Sequence, residues 1–376
     1  MEFERKPINK RRGRKAGSVL VFVLALVVLL SVLAMRLMEE TIREMQHMSQ
    51  FHRRDDLRIH AYSALEIAVG TLSEWKEVQR QLFASAQGWG NPIEYAEVEP
   101  PEGIQWEVRI EVENGKLPME QLRKDPKLLA ALFESMVDEE NDAVGYDESL
   151  EFADALLDWE DADENHRLEG AESPDYYEDL EPPYFAPNRP ITSFEEFKLI
   201  KGFGPDPEDP EEGGLFFDSN GNETTNFGNF KKAVSLRSSQ ELNVNESSGF
   251  LRSFLCGENE FGLEDLDLFL SGEGHFGGEE GQGRYFESTS DPKLEALKGR
   301  GIKFGVECKA FRVKVTVTRG KSTFVLWALL EDPTGSPSPK STTSLSTQAE
   351  EAKQRFETLK YPYRILALRE NENFID

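Results

Sequence analysis

The 376-residue sequence predicts an α+β fold: a long N-terminal helix on an antiparallel sheet, with a large, mainly helical domain inserted between strands of that sheet. Three observations predict it. An uncharged run from Ser18 to Met35 passes directly into a charged helical pattern, and no proline falls between Ser18 and Pro92. Period-two alternation, the mark of a half-buried strand, occupies 103–113 and returns clearly only at 308–330. The long stretch between them carries helical patterning and most of the acidic charge.

The N-terminus comes first. A basic leader (Arg5, Lys6, Lys10, Arg11, Arg12, Arg14, Lys15) ends in Ala16-Gly17. A secretory signal places its cleavage site after the apolar stretch. Here the expected cut lies before it, between Gly17 and Ser18, and leaves the apolar helix on the mature chain. That order resembles a type IV pilin-like subunit; a plain signal-anchor helix is the alternative. The run is close to the ~20 residues that cross a bilayer. Positive charge ahead of it predicts a single pass with the N-terminus in the cytoplasm and the rest of the chain on the far side, which in the pilin-like reading is an inner-membrane anchor with a periplasmic C-terminal domain.

The helix is expected over 18–86, with Leu57, Ala61, Ala64, Leu65, Ala68 and Leu72 as its packing face. In 103–113, Ile104, Trp106, Val108, Ile110 and Val112 alternate with Glu107, Arg109 and Glu111, and Asn114-Gly115 marks a turn. Phe311, Val313, Val315 and Val317 begin a hairpin that turns at Arg319-Gly320-Lys321, and a last strand is expected at 362–368. Helices are expected at 126–138, 148–159, 193–201 (Ser193 and Glu196 form a capping box), 246–256, 260–270 and 291–299. Loops are expected at 204–230 and at the glycine-rich 271–284. The domain reading is a cleaved leader at 1–17, a transmembrane segment at 18–36, the remaining helix and first strands at 37–117, the inserted domain at 118–300, and C-terminal strands at 301–376 with a flexible linker at 333–347.

The formal net charge is −27. The first 17 residues hold seven Lys/Arg and two Glu, a net of +5, so the mature remainder carries −32. Such a chain repels phosphate backbones, which argues against nucleic acid and for a cation or a basic partner surface. The two cysteines, Cys256 and Cys308, are a candidate disulfide in an oxidising compartment, the alternative being two separately buried thiols.

Residues 138–182 hold nineteen Asp/Glu and one Arg. Counting Asp161 as position 1, Asp163, Asn165, Glu169 and Glu172 fall at positions 3, 5, 9 and 12 of an EF-hand-like pattern, with Asp158 just before it. Hard oxygen donors at this density suit Ca²⁺. His166 stands where an EF-hand needs glycine, and Pro174, Pro182 and Pro183 follow, so the expectation is a loop-built calcium site rather than a true EF-hand. A solvated acidic face is the plain alternative.

Together these pieces resemble the K-type minor pseudopilin of the type II secretion system (general secretion pathway protein K). The resemblance rests on the Gly17/Ser18 junction and Ala61-Tyr62-Ser63-Ala64-Leu65-Glu66. It continues through Asp154-Ala155-Leu156-Leu157-Asp158-Trp159 with Asp161-Ala162-Asp163, then Gly170-Ala171-Glu172, Tyr176-Tyr177 and Pro183-Tyr184. Asn188-Arg189-Pro190, Ser193-Phe194-Glu195-Glu196-Phe197, Leu242-Asn243-Val244-Asn245 and Pro362-Tyr363-Arg364 complete it. Most pilins carry glutamate five residues into the mature chain, where it meets the N-terminal amine of a neighbouring subunit; here that residue is Phe22. A glutamate buried in lipid is costly without such a partner, and a subunit with nothing above it has none.

The resemblance implies a non-enzymatic subunit at the pseudopilus tip. It would be processed and N-methylated at Ser18 by prepilin peptidase, would join I-type and J-type minor pseudopilins, and would prime assembly of the major pseudopilin for protein secretion. It also implies calcium in the inserted domain. Three other readings compete: a minor pilin of a type IV pilus-like system, a membrane-anchored periplasmic enzyme using the acidic loop, and a DNA-binding helix-hairpin-helix at Leu199-Ile200-Lys201-Gly202-Phe203-Gly204. The last is opposed by Asp206, Glu208, Asp209, Glu211 and Glu212 next door.

Overall fold

The computed structural model describes residues 15–137, 143–207, 213–257, 259–272, 284–332 and 362–371. The leader before Lys15, most of the glycine-rich 271–284 segment and the 333–347 linker lie outside the described residues, as do Glu208, Asp209, Glu211 and Glu212.

The chain divides into two compact units, Met1–Ile59 and His60–Asp376. In the first, helix α1 (Lys15–Gln79) begins. Its Leu20–Arg43 stretch has a mean hydropathy of 2.8, is long and apolar enough to cross a membrane, and buries none of its residues. The end of α1 belongs to the second unit, where Ala61, Ala64, Leu65, Ala68 and Leu72 are buried. The helix stops at Gln79 rather than at 86 because Arg80 adopts a left-handed φ of 67°. The short helix α2 (Pro92–Tyr95) follows.

Strand β1 (Gln105–Val112) leads through the buried Glu113–Gly115 turn to β2 (Leu117–Pro118). Helices α3 (Met119–Lys124), α4 (Pro126–Glu134) and α5 (Tyr146–Glu160) come next. Helix α6 (Thr225–Ala233) lies where the sequence reads as loop: Thr224 caps it by accepting from the Phe227 amide, and Phe227 and Phe230 bury one face. Strands β3 (Val234–Ser235) and β4 (Leu242–Asn243) precede helices α7 (Gly249–Cys256) and α8 (Glu260–Ser271). The capped segments at Phe194–Leu199 and Pro292–Arg300 are 3-10 rather than α-helical. Ser193 does accept from the Glu195 amide, and its own amide donates to Glu196.

After β5 (Phe304–Gly305), the long strands β6 (Ala310–Arg319) and β7 (Ser322–Glu331) form the expected hairpin, and β8 (Arg364–Glu370) adds to its edge. The main sheet has order β1-β6-β7-β8 and is antiparallel throughout. Because β1 pairs with β6 along its whole length, from Gln105↔Thr318 to Val112↔Phe311, the intervening chain is an insertion between adjacent strands. Alternation on β6 decides the faces: Phe311, Val313, Val315 and Val317 are buried while Arg312, Lys314 and Thr316 are half-buried. The Tyr62 hydroxyl donates to Glu370 of β8 at 2.7 Å, and Lys76 pairs with Asp332, so the end of α1 is tied to this sheet.

The insertion has an aromatic core. Phe133, Phe197, Phe203, Phe216 and Phe230 pack with ring centroids 4.9–6.3 Å apart. Buried amides join it to the sheet. Asn114 donates to the carbonyls of Glu241 and Glu307 at 3.0 and 2.9 Å and accepts from the amides of Lys309 and Ala310 at 2.9 and 3.1 Å. Asn245 likewise reaches the carbonyls of Phe286 and Val306. Satisfying every hydrogen-bonding site of the fully buried Asn114 amide fixes the approach of three chain segments at once, its own, that of Glu241 and 307–310.

The candidate disulfide is corrected. Cys256 and Cys308 are separate buried thiols. Cys308 is held by Asn243, whose Nδ2 lies 3.1 Å from its sulfur, and it donates to the Phe83 carbonyl at 3.2 Å. Cys256 closes α7 within the helical insertion.

Candidate acidic site at the end of helix α5

Helix α5 forms because Ser149, Phe152, Ala153, Leu156 and Leu157 bury one face, while Asp147 and Glu148 sit in its first turn near the positive end of the helix dipole. Its last turn has the opposite electrostatics. Asp158 and Glu160 are buried there, and Asp161 is the C-cap, its amide donating to the Leu157 carbonyl at 3.0 Å. Carboxylates at a helix C-terminus face the negative end of the dipole, so this turn needs cations.

Two are supplied by the chain. Arg123 of α3 grips Glu160 through both carboxylate oxygens, at 2.5 and 2.7 Å, and Glu160 also accepts from the Ile191 amide at 2.7 Å. Arg167 folds back from the loop. Its guanidinium pairs with Asp158 and, at 2.7 Å, with Asp161, and its backbone amide donates to Asp158 Oδ2 at 2.9 Å. Gly170 lets the loop return this closely, for a Cβ there would fall inside the Asp158 carboxylate.

Glu172 completes the group. One oxygen each of Asp158, Asp161 and Glu172 lies within 4.8 Å of the others, the acidic cluster that emerges among the described residues. Glu172 is fully buried, and among the described residues neither of its carboxylate oxygens has a hydrogen-bond partner. Burial, then the nearby charges of Asp158 and Asp161, push its carboxyl up to about 7. Burial also raises Asp158, against hydrogen bonds from Arg167 that lower it. Arg167 therefore leaves the cluster short of positive charge.

The sequence-predicted set is only partly assembled. Asp163 and Asn165 are exposed and face each other: the Asp163 side chain accepts from the Asn165 amide at 2.9 Å and from its side chain at 2.6 Å, which holds the Asp163 carboxyl below its usual range. Glu169 is exposed, with its amide 3.4 Å from Asp154. These three lie outside the Asp158–Asp161–Glu172 group. The loop does not repeat the EF-hand, since it runs from Glu172 into one π-type turn at Ser173–Tyr177.

Sequence reasoning gave no role to Arg167, and took Gly170 and Asn188 only as parts of the motifs that carry the resemblance. The first stood out as the lone arginine in an acidic run. Asn188 has a left-handed φ of 48°, donates to Glu164 at 3.2 Å, and leaves its own buried side-chain oxygen unpaired. Behind the loop, Trp159 packs edge-to-face on Tyr177 and Tyr184, which meet each other at a tilt, with ring centroids 5.1–6.3 Å apart, and the Tyr184 hydroxyl donates to the Leu199 carbonyl. The Asp-Trp, Tyr-Tyr and Pro-Tyr elements thus build one wall supporting the acidic turn. At 199–204 the glycines make a tight turn: Gly202 has φ +80° and its carbonyl accepts from Leu215.

A helix ending on an antiparallel sheet, with a helical domain inserted after the first strand, is a pilin-like fold with an added domain. Residues 120–207, from α3 through the acidic loop, match the family described as Type II secretion system (T2SS), protein K. The fold is also similar to a chain of the crystal structure of the GspK-GspI-GspJ complex from the enterotoxigenic Escherichia coli type 2 secretion system. That likeness has a TM-score of 0.52 at 13% identity and covers 87% of this chain and 100% of that one. No curated protein sequence matches this chain. Residues 120–207 thus carry the pattern of the type II secretion system protein K family, and the rest of the chain is similar to a solved structure in fold.

Proposed function

We propose that this chain is a minor pseudopilin of the type II secretion system, that it sits at the tip of the pseudopilus without enzymatic activity, and that it initiates assembly of the filament that drives folded proteins across the outer membrane. The match of residues 120–207 to the protein K family carries this reading. The similar chain comes from a complex with GspI and GspJ, which supports I-type and J-type minor pseudopilins as partners. The major pseudopilin would be the next subunit below. Phe22 in place of glutamate favours the top position, where no neighbour's amine waits to be paired. The Leu20–Arg43 stretch would anchor the chain in the inner membrane, N-terminus in the cytoplasm and the inserted domain in the periplasm.

Prepilin peptidase would cut between Gly17 and Ser18 and methylate the new amine. Mass spectrometry of protein from native membranes tests this. N-methylated Ser18 is expected; an intact N-terminus, or one beyond Met35, would overturn the filament reading. Co-purification of the I-type and J-type subunits with the processed chain tests the partners.

The acidic turn fits a calcium ion. The observation that favours it is Glu172, buried with two unpaired oxygens against Asp158 and Asp161. Hard carboxylate oxygens suit Ca²⁺, which takes roughly six to eight of them. Asp158, Asp161 and Glu172 would hold it. Asp163, Asn165 and Glu169 would serve it only through loop rearrangement. The ion would supply the charge that Arg167 leaves unbalanced, and so stabilise the loop.

A further inference from the structure

We propose that Arg167 is a built-in counter-ion that competes with a divalent cation for Asp158 and Asp161, so that loading the site ejects its guanidinium. The inference rests on the calcium reading above and adds its regulation.

The geometry sets up the competition. The Arg167 guanidinium uses a single nitrogen, Nη1, to bridge Asp158 Oδ1 and Asp161 Oδ2. Those are two of the three residues in the acidic group. The third, Glu172, receives nothing from Arg167 and stays buried and unpaired. One guanidinium therefore serves two carboxylates and leaves the third without a donor. A divalent ion placed among all three residues would serve the whole set, but it would share oxygens with a guanidinium a few ångströms away. Two cations at about 4 Å repel strongly in a partly buried site, so they cannot share these oxygens at low cost.

The side chain that must leave is free to do so. Arg167 is 37% exposed, whereas Asp158 is fully buried. The flanking residues His166 and Leu168 are both exposed, so the segment lies at the surface. Its backbone amide holds Asp158 Oδ2 independently at 2.9 Å, so the guanidinium can swing out while the turn keeps its path. Arg167 thus serves two states. Without the ion it keeps Asp158 and Asp161 from repelling each other at the negative end of α5. With calcium present it raises the concentration needed for loading, because each binding event must first break its two ion pairs. This places the site among weak, exchangeable calcium sites.

The test is calcium titration of the full-length protein in detergent micelles, after EDTA stripping, read by calorimetry and by thermal melting. R167Q is expected to bind calcium at least tenfold more tightly than wild type and to melt lower in EDTA. An R167Q variant that folds only when calcium is added supports the proposal equally. R167K keeps a charge but as a compact ammonium, and is expected to fold in EDTA and to bind between the two. If R167Q does not fold under either condition, R167K decides. Equal or weaker binding in the deciding variant overturns the inference while leaving calcium binding itself intact. Binding in R167Q with none in wild type supports the competition but removes calcium from the wild-type function. No binding in either overturns both.

Discussion

Glu172→Gln changes one oxygen of a buried carboxylate to an amide without changing its shape, and the structure assigns it opposite effects with and without calcium. In the metal-free fold, Glu172 is fully buried and neither oxygen finds a donor. Leaving such a group unsatisfied costs about 1–3 kcal/mol, more when it is charged. Its carboxyl titrates at about 7 in the fold against an ordinary 4.5. The native state therefore holds a proton that the unfolded chain has lost, and stability falls as pH rises from 4.5 through 7. Above that window E172Q should melt above wild type by a few degrees in EDTA, and below pH 4.5 this advantage should vanish. Calcium at a hundred times its dissociation constant should stabilise wild type by about 2.7 kcal/mol. Without the Glu172 charge that increment should largely disappear, so the order of melting temperatures reverses. Scanning calorimetry at pH 8, with EDTA and with calcium, reads both arms. A variant that melts lower than wild type in EDTA refutes the account of Glu172 as an unsatisfied charge. Equal calcium stabilisation of both proteins would place the ion elsewhere.

Other parts of the fold give sharper mechanical tests. Asn114→Ala removes four hydrogen bonds that tie the turn after β1 to Glu241 and to the 307–310 segment entering β6; at about 0.5–1.5 kcal/mol each, the loss should be about 2–6 kcal/mol in urea unfolding, and an effect near zero would mean that the contacts are not formed in solution. Gly170→Ala pushes a methyl into the Asp158 carboxylate, so a loss of about 1–3 kcal/mol is expected, together with weaker calcium stabilisation; an unchanged melting curve would rule out the tight return of the loop. With Cys256 and Cys308 buried as free thiols, a thiol reagent should label neither in the native protein and both after unfolding; a failure to label denatured, unreduced protein would reveal the disulfide.

Elements with strong period signals were legible. The β1 and β6 segments alternate apolar and polar residues because one sheet face is covered and the other is not, and that pattern survives in the sequence without knowledge of the partner. Their direct pairing, which makes the middle of the chain an insertion, followed from the gap between them. Helix α6 was hidden because Gly228 and the Asn-Gly-rich approach to it look like loop, whereas Phe227 and Phe230 override local propensity by entering an aromatic core assembled from distant segments. The two-residue pairings β2–β3 and β4–β5 carry no periodic signal at all, and buried asparagines position the chain around them.

The acidic site shows the same limit in chemical form. Residue type and density in 138–182 were enough to call for a cation, because carboxylates packed this closely oppose folding unless something neutralises them. Spacing was a poor guide to which carboxylates meet. Offsets of one, three and five select ligands only when the loop turns as an EF-hand does, and His166 and the prolines after Glu172 send the chain another way. The actual selection is made by α5, which buries Asp158 and ends on Asp161, and by Gly170, which lets the return strand bring Glu172 against them. Arg167 was visible as a single basic residue, but nothing in a linear sequence tells whether one arginine satisfies three carboxylates. In the fold it reaches two, and the third carboxylate, Glu172, stays outside the ion-pair network, which is why the proposed cation is placed against it.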